Sequence, residues 1–453
     1  MLYRKAYEKL REWKESDKKK ALCIFGARQI GKTTIIRHFG AENYENMVEI
    51  NFVTDKDAAK IFDGPLDADT IITNLTAYVR KPMEPGKTLI FFDEVQECPD
   101  VRTAIKFLVE DGRFDYIESG SLPGVRYKEI RSYPVGYEDI YRMYPMDFEE
   151  FLIANGVQAQ TLAYLKDCFD NLSPVSDSVH DTLNRLFMSY IVVGGMPETV
   201  QIYVDTHDIG KVIENQNSIL DLYRLDIARY ADGNDKAKIK AIFDSIPSQL
   251  NNRNRRFILT DVDEHGRHNR YANSFTWLDD SGTALPCYNV TEPRPPLKLN
   301  EKHNLFKLFM NDTGLLCAAC MENIQFDILN GDLSINMGSV LENVMAQQLA
   351  ANGCSLCYFD TKKYGEVDFV VQKGLKVDLV EIKSGKDYKS HASLNKVRRV
   401  SQWQTGQSYV FCRGNIEKED GVIYLPWYEI MFLKPDQPPK NLTYEVDISG
   451  LEI

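Results

Sequence analysis

Hydrophobic positions in the first third of the chain fall in short apolar runs separated by stretches of helical spacing. The runs are ALCIFG (21–26), MVEINF (47–52), TLIFFD (88–93) and FDYIESG (114–120). Apolar runs of this length suit strands buried on both faces, and their alternation with helices predicts a mostly parallel α/β sheet. Upstream, Tyr3, Tyr7, Leu10 and Trp13 recur at helical spacing in a segment that is otherwise charged, which predicts an amphipathic helix. From about 146 to 205 the pattern is helical, as in DFEEFLIANG and TLNRLFMSYIVVGG. Residues 206–300 mix helix with a short hairpin-like stretch and end in TEPRPPLKL (291–299), which reads as extended chain and a natural boundary. From Glu301 to the end a further α/β unit follows.

A length of 453 residues agrees with about three to four domains. Apolar content of 43 % and charged content of 26 % are those of a soluble globular chain. No apolar run approaches the roughly 20 residues of a membrane helix, and the N-terminus lacks the apolar centre of a signal peptide. The expectation is a cytoplasmic protein without a membrane partner. A net charge of −12 argues against a surface coated for nucleic acid. It leaves room for a local basic groove, because screening confines fields to about 10 Å. Nine cysteines without an export signal point to reduced thiols. The pairs Cys317/Cys320 and Cys354/Cys357 have zinc-ribbon spacing but lie in apolar helical and strand patterns, so buried small hydrophobes are expected.

Candidate chemistry begins where ALCIF runs into GARQIGKTT. Gly26, Ala27, Arg28, Gln29, Ile30, Gly31, Lys32, Thr33 and Thr34 have the spacing of a phosphate-binding loop between a strand and a helix. Glycines let backbone amides curl around a β-phosphate, Lys32 reaches the β/γ oxygens, and the Thr33 hydroxyl joins a Mg²⁺ shell. LIFFDEVQ delivers Asp93 and Glu94 at the end of a buried strand: Asp93 to hold Mg²⁺, Glu94 to polarise an attacking water. Ser119, or Ser121, on the next strand is placed to sense a γ-phosphate. The cofactors expected here are ATP and Mg²⁺.

GARQIGKTT, FFDEVQECP, ESGSLPGV and SYPVGYEDIYRMYPMDFEEFL together resemble the archaeal-ATPase-like branch of the AAA+ superfamily. YIVVGGMPETV, FKLFMNDTGLL and GSVLENVMAQQL extend the resemblance over nearly the whole chain. It implies an ATPase core with a P-loop parallel sheet (1–145), a helical lid (146–205), a winged-helix-like region (206–300) and a C-terminal restriction-endonuclease-like α/β domain (301–453). It also implies an arginine finger, for which Arg126 and Arg131 are candidates.

The C-terminal unit holds a second candidate site. In VDLVEIKSG a period of two puts Leu379, Glu381 and Lys383 on one face. Asp368, in VDFVV, lies one hairpin away through QKGLK. Glu342 sits in SVLENVMAQQL, whose apolar spacing is helical. This set resembles the PD-(D/E)XK nuclease motif, with Val367 in place of its proline. The resemblance implies Mg²⁺ or Mn²⁺ on Asp368 and Glu381, with Glu342 as a further ligand or outer acceptor and Lys383 orienting the water. The same residues equally suit a buried ion network without metal. Arg253, Arg255 and Arg256, and Lys396, Arg398 and Arg399, form two basic clusters suited to DNA phosphates or to solvated helix faces. Two readings follow. One is an ATPase that drives nucleic-acid engagement and cleavage; the other is an ATP-dependent switch whose silent C-terminal domain binds a partner. A homo-oligomer or protein partner is compatible with both.

Overall fold

The computed structural model describes residues 1–16, 19–121, 134–231, 233, 235–252, 256–321, 325–330, 337–436 and 443–446. The N-terminal helix α1 (Lys5–Lys14) buries Leu10 and Trp13, as its spacing predicts. The four apolar runs become β1 (Ala21–Phe25), β2 (Asn46–Asn51), β3 (Thr88–Asp93) and β4 (Asp115–Gly120), interleaved with α2 (Lys32–Asn43), α3 (Ala68–Val79) and α4 (Pro99–Asp111). A fifth strand, β5 (Glu138–Arg142), is absent from the sequence expectation. Its residues EDIYR are half polar and Ile140 is 65 % exposed, because the strand pairs on one side only, at the sheet edge. The sheet order is β2-β3-β4-β1-β5 with every pairing parallel. The chain leaves β1 and crosses to β2 on one side, while β5 returns on the other. The C-terminal end of β1 is therefore a topological switch point, where a ligand is expected.

The helical stretch resolves into α5 (Phe148–Ala154), α6 (Ala159–Asn171), α7 (Asp177–Val193), α8 (Pro197–Thr206) and α9 (Ile209–Tyr230). A reciprocal cap between Asp147 and Glu150 starts α5. Next come α10 (Lys236–Asn251), α11 (His268–Asp280) and the antiparallel hairpin of β6 (Ala284–Val290) and β7 (Glu301–Met310). The proline-rich stretch expected as a boundary is thus the connection of a hairpin, and one sheet draws on residues from both sides of 300.

After α12 (Thr313–Cys320), α13 (Gln325–Leu329) and α14 (Met337–Ala351) come β8 (Cys357–Thr361) and β9 (Gly365–Val367), which complete the sheet β7-β6-β8-β9. The chain then builds β10 (Phe369–Lys373), β11 (Lys376–Ile382), α15 (Ala392–Arg398), β12 (Thr405–Cys412), β13 (Glu417–Glu419) and β14 (Val422–Pro426). These strands form a second sheet ordered β10-β11-β12-β14-β13. Asp368 is the single residue between β9 and β10, at the step from one sheet to the other.

A buried polar network ties the helical segment to the C-terminal unit. The fully buried Asp312 carboxylate accepts from Gly195 N (2.6 Å), Leu315 N (3.0 Å) and Gln347 Nε2 (3.3 Å). Gln347 and Gln348 on α14 both donate to the Tyr190 hydroxyl on α7, at 2.9 Å each. Asn343 donates to the Met310 carbonyl and the Thr313 hydroxyl. Each buried donor and acceptor here needs its partner, so the network specifies how the segments meet. No helix among the described residues is long and apolar enough to cross a membrane.

Candidate functional site

β1 ends at Phe25, and the loop that follows opens the first turn of α2. Gly26 has φ 145° and Gly31, the N-cap of α2, has φ 88°; both conformations favour glycine. Ala27 and Ile30 are buried and anchor the loop, while Gln29 and Thr34 are exposed. The result is a curl of backbone at a helix N-terminus, suited to an anion. Lys32 is buried, and its ammonium donates to the Gly26 and Ala27 carbonyls at 2.8 Å each. Burial lowers its pKa to about 8, against the opposite pull of Glu94 and Asp93.

Asp93 ends β3 in register with Asn51 on β2 and Ser119 on β4. One carboxylate oxygen accepts from Thr33 Oγ1 (3.1 Å) and Asn51 Nδ2 (2.9 Å). The other accepts from the Ser119 hydroxyl and from Glu94 N (3.1 Å). The predicted Mg²⁺ residues Thr33 and Asp93 are therefore already together. Ser119, expected to sense a γ-phosphate, is spent on Asp93. Glu94 takes a left-handed backbone (φ 57°), and its carboxylate accepts from Gln96.

Three contacts unforeseen from sequence brace the loop. Arg4 of the N-terminal segment donates to the Ile30 carbonyl (2.7 Å) and pairs with Glu150 (3.2 Å). The Arg28 guanidinium pairs with Asp226 on α9 and donates to the Tyr230 hydroxyl (3.0 Å), while Tyr223 donates to the Arg28 carbonyl (3.2 Å). Burial raises Asp226 to about 6, with Arg28 pulling the other way. Gly282 packs so closely on Ala27 N that a Cβ there would clash with the loop backbone. Arg28, expected among the nucleotide contacts, thus lends its backbone to the loop and its side chain to α9. Arg126 and Arg131 lie outside the described residues.

In the C-terminal unit β10 and β11 pair antiparallel with Phe369 opposite Val380, which sets Asp368 beside Glu381 as the hairpin spacing predicts. Asp368 accepts from Ile382 N (2.7 Å), and Lys383 Nζ lies 2.9 Å from Glu381. Burial, then Asp368, raises Glu381 to about 8, with Lys383 opposing. Two adjacent carboxylates, one of them paired with an ammonium, form a donor set that suits a cation. Glu342 behaves otherwise. Its carboxylate lies 3.1 Å from the Lys307 ammonium, which also lies 2.6 Å from Glu366. Lys307 and Glu366 escaped sequence reasoning, although a lone lysine in FKLFM and an acid two residues before Asp368 were visible signals. Among the described residues one group of three potential metal ligands is gathered, Cys23 with Glu118 and Glu138. There the Arg102 guanidinium reaches both Glu138 (2.7 Å) and Cys23 (3.3 Å) and supplies the cation itself.

Of the basic clusters, Arg256 pairs with Asp360, and Lys396 and Arg399 are exposed at the end of α15. Arg253 and Arg255 lie outside the described residues. Cys317, Cys354 and Cys357 are buried thiols, and Cys320 is exposed.

Residues 18–152 match the family model for an AAA domain. Residues 184–325 and 337–430 match two domains of unknown function, DUF8612 and DUF4143. No curated protein matches the chain. Among solved structures, the chain is similar to a Walker-type ATPase of Pyrococcus abyssi, with 13 % identity, 70 % of this chain and 96 % of that one covered, and a TM-score of 0.43. It is also similar to the Aeropyrum pernix ORC1 protein in complex with DNA (12 %, 73 % and 93 %, TM-score 0.27). A third similarity is to a RuvB variant from Thermotoga maritima (13 %, 63 % and 89 %, TM-score 0.30). The family match and the loop geometry agree on an AAA-type domain with a phosphate-binding loop over residues 18–152.

Proposed function

We propose that the chain couples Mg²⁺-dependent ATP hydrolysis to engagement of nucleic acid, with Asp368, Glu381 and Lys383 forming a phosphodiester-cleaving site. The ATP half rests on Thr33, Asp93 and Glu94 meeting at the loop. Mg²⁺ held through Thr33 and Asp93 would screen the phosphate charge. Lys32 exchanges two loop carbonyls for phosphate oxygens, Glu94 takes the proton of the attacking water, and Asn51 and Ser119 keep Asp93 aimed.

The observation that carries the cleavage half is Asp368 set beside Glu381, with Lys383 2.9 Å from that carboxylate. A divalent cation held by both carboxylates would acidify a bound water and polarise the phosphate. Lys383 would orient that water. Two helices, α10 and α11, followed by the β6–β7 hairpin support the winged-helix expectation for this region and with it the nucleic-acid reading. Exposed Lys396 and Arg399 supply charge for phosphates. The test compares cleavage of plasmid and single-stranded DNA, with Mg²⁺ or Mn²⁺, by wild type, Asp368→Ala and Lys32→Ala. Metal-dependent cutting lost in Asp368→Ala is the expected result, and no cutting by wild type under any metal or nucleotide refutes the nuclease half.

One observation favours a second reading. Lys307 neutralises Glu342, so the acidic set can act as an internal ion network. ATP would then move the helical segment while a silent C-terminal unit binds a partner, and ATP turnover would be indifferent to DNA.

A further inference from the structure

Strand β7 carries one lysine inside the apolar run FKLFM, and its side chain is 0 % exposed. The Lys307 ammonium reaches Glu342 on α14 and Glu366 on β9, and sits 5.0 Å from the centre of the Tyr358 ring. An ammonium with no solvent needs a carboxylate partner, and here it has two. Beside it stand Asp368, Glu381 and Lys383, with Glu366 close enough to act electrostatically on Glu381. The neighbouring Arg256–Asp360 pair is neutral by itself. The two halves of the cluster face different cations. Glu342 and Glu366 face an ammonium that is fully buried and cannot snorkel to water, whereas Lys383 is half-buried and pairs with Glu381.

We propose that Lys307 is a resident cation, a positioning residue that fills the Glu342–Glu366 half of the cluster and confines the site to one divalent cation, at Asp368 and Glu381. Glu342, which the motif would make a metal ligand, is a ligand of the lysine. The proposal rests on the reading of Asp368 and Glu381 as cation ligands, but the exclusion of metal by Lys307 can fail or stand separately.

The test counts Mn²⁺ bound by the nucleotide-free full chain, following free Mn²⁺ by electron paramagnetic resonance. Wild type binds one Mn²⁺ that is lost in Asp368→Asn. Lys307→Gln binds two, and adding Glu342→Gln to it returns the count to one. Glu342→Gln alone, which keeps the ammonium on Glu366, holds its Mn²⁺ within about threefold of wild-type affinity. This variant decides the matter even where Lys307→Gln does not fold. A loss of tenfold or more in Glu342→Gln is the range of a lost ligand or outer-shell partner; it puts the metal on Glu342 and overturns the proposal. Two Mn²⁺ in wild type, or one in both wild type and a folded Lys307→Gln, also overturns it. No Mn²⁺ in wild type but one in Lys307→Gln keeps Lys307 as the resident cation and refutes the Asp368–Glu381 reading instead.

Discussion

Replacing Asp312 by asparagine separates the charge of a buried carboxylate from its shape. The side chain is 0 % exposed, caps α12 through Leu315 N, and holds Gly195 N and the Gln347 amide. Burial raises its pKa to about 6, against the pull of those donors. In the unfolded chain the value is near 3.9. A carboxyl raised on folding binds its proton more tightly in the native state. Its contribution to stability is therefore fully present below about pH 4 and is lost as pH rises through about 6. A difference of that size corresponds to about 3 kcal/mol. The substituted side chain does not titrate, and its misplaced amide beside Gly195 N costs about 1–3 kcal/mol at every pH. Urea midpoints of wild type and Asp312→Asn at intervals from pH 4 to 7.5 give the difference directly. That difference should move by about 3 kcal/mol in favour of the variant across this range. A flat difference, or one moving toward wild type, refutes the assignment of this carboxyl as the one that burial opposes.

Other consequences can be measured on the same protein. Glu94→Gln should keep ATP binding and lower turnover by about 10²–10⁴-fold, the range of a lost general base, read by phosphate release and nucleotide titration. Arg28→Ala and Asp226→Ala form a double-mutant cycle across a half-buried ion pair. A coupling of about 1–2 kcal/mol in unfolding free energy is expected, and additivity would show that α9 does not brace the loop. Gly194→Ala, at φ 75° with its Cβ aimed at the Asp312 carboxylate, should destabilise by about 2–4 kcal/mol in urea denaturation.

Much of the candidate nucleotide site was legible because its parts are contiguous. Gly26 to Thr34 and the run ending at Asp93 and Glu94 are local strings whose turn and strand chemistry acts within a few residues. Asp368 and Glu381 were legible for a similar reason, since a tight hairpin converts spacing into register. β5 was not, because its half-polar residues carry no period until β1 pairs with them. Nor was the β6–β7 hairpin, whose proline-rich connection looks like a linker until β8 joins the same sheet.

The amino-acid string alone determined the strand–loop–helix from β1 to α2, the acids at the end of β3, and the placing of Asp368 beside Glu381. Tertiary structure decided which partners the buried charges meet: Arg4 the Ile30 carbonyl, Arg28 the Asp226 carboxylate, Asp312 the Gly195 N–H, Lys307 the carboxylates of Glu342 and Glu366. These partners lie tens to hundreds of residues apart. Backbone periodicity acts over one turn or one pleat, whereas a buried charge takes whichever counter-charge the topology brings within about 3 Å.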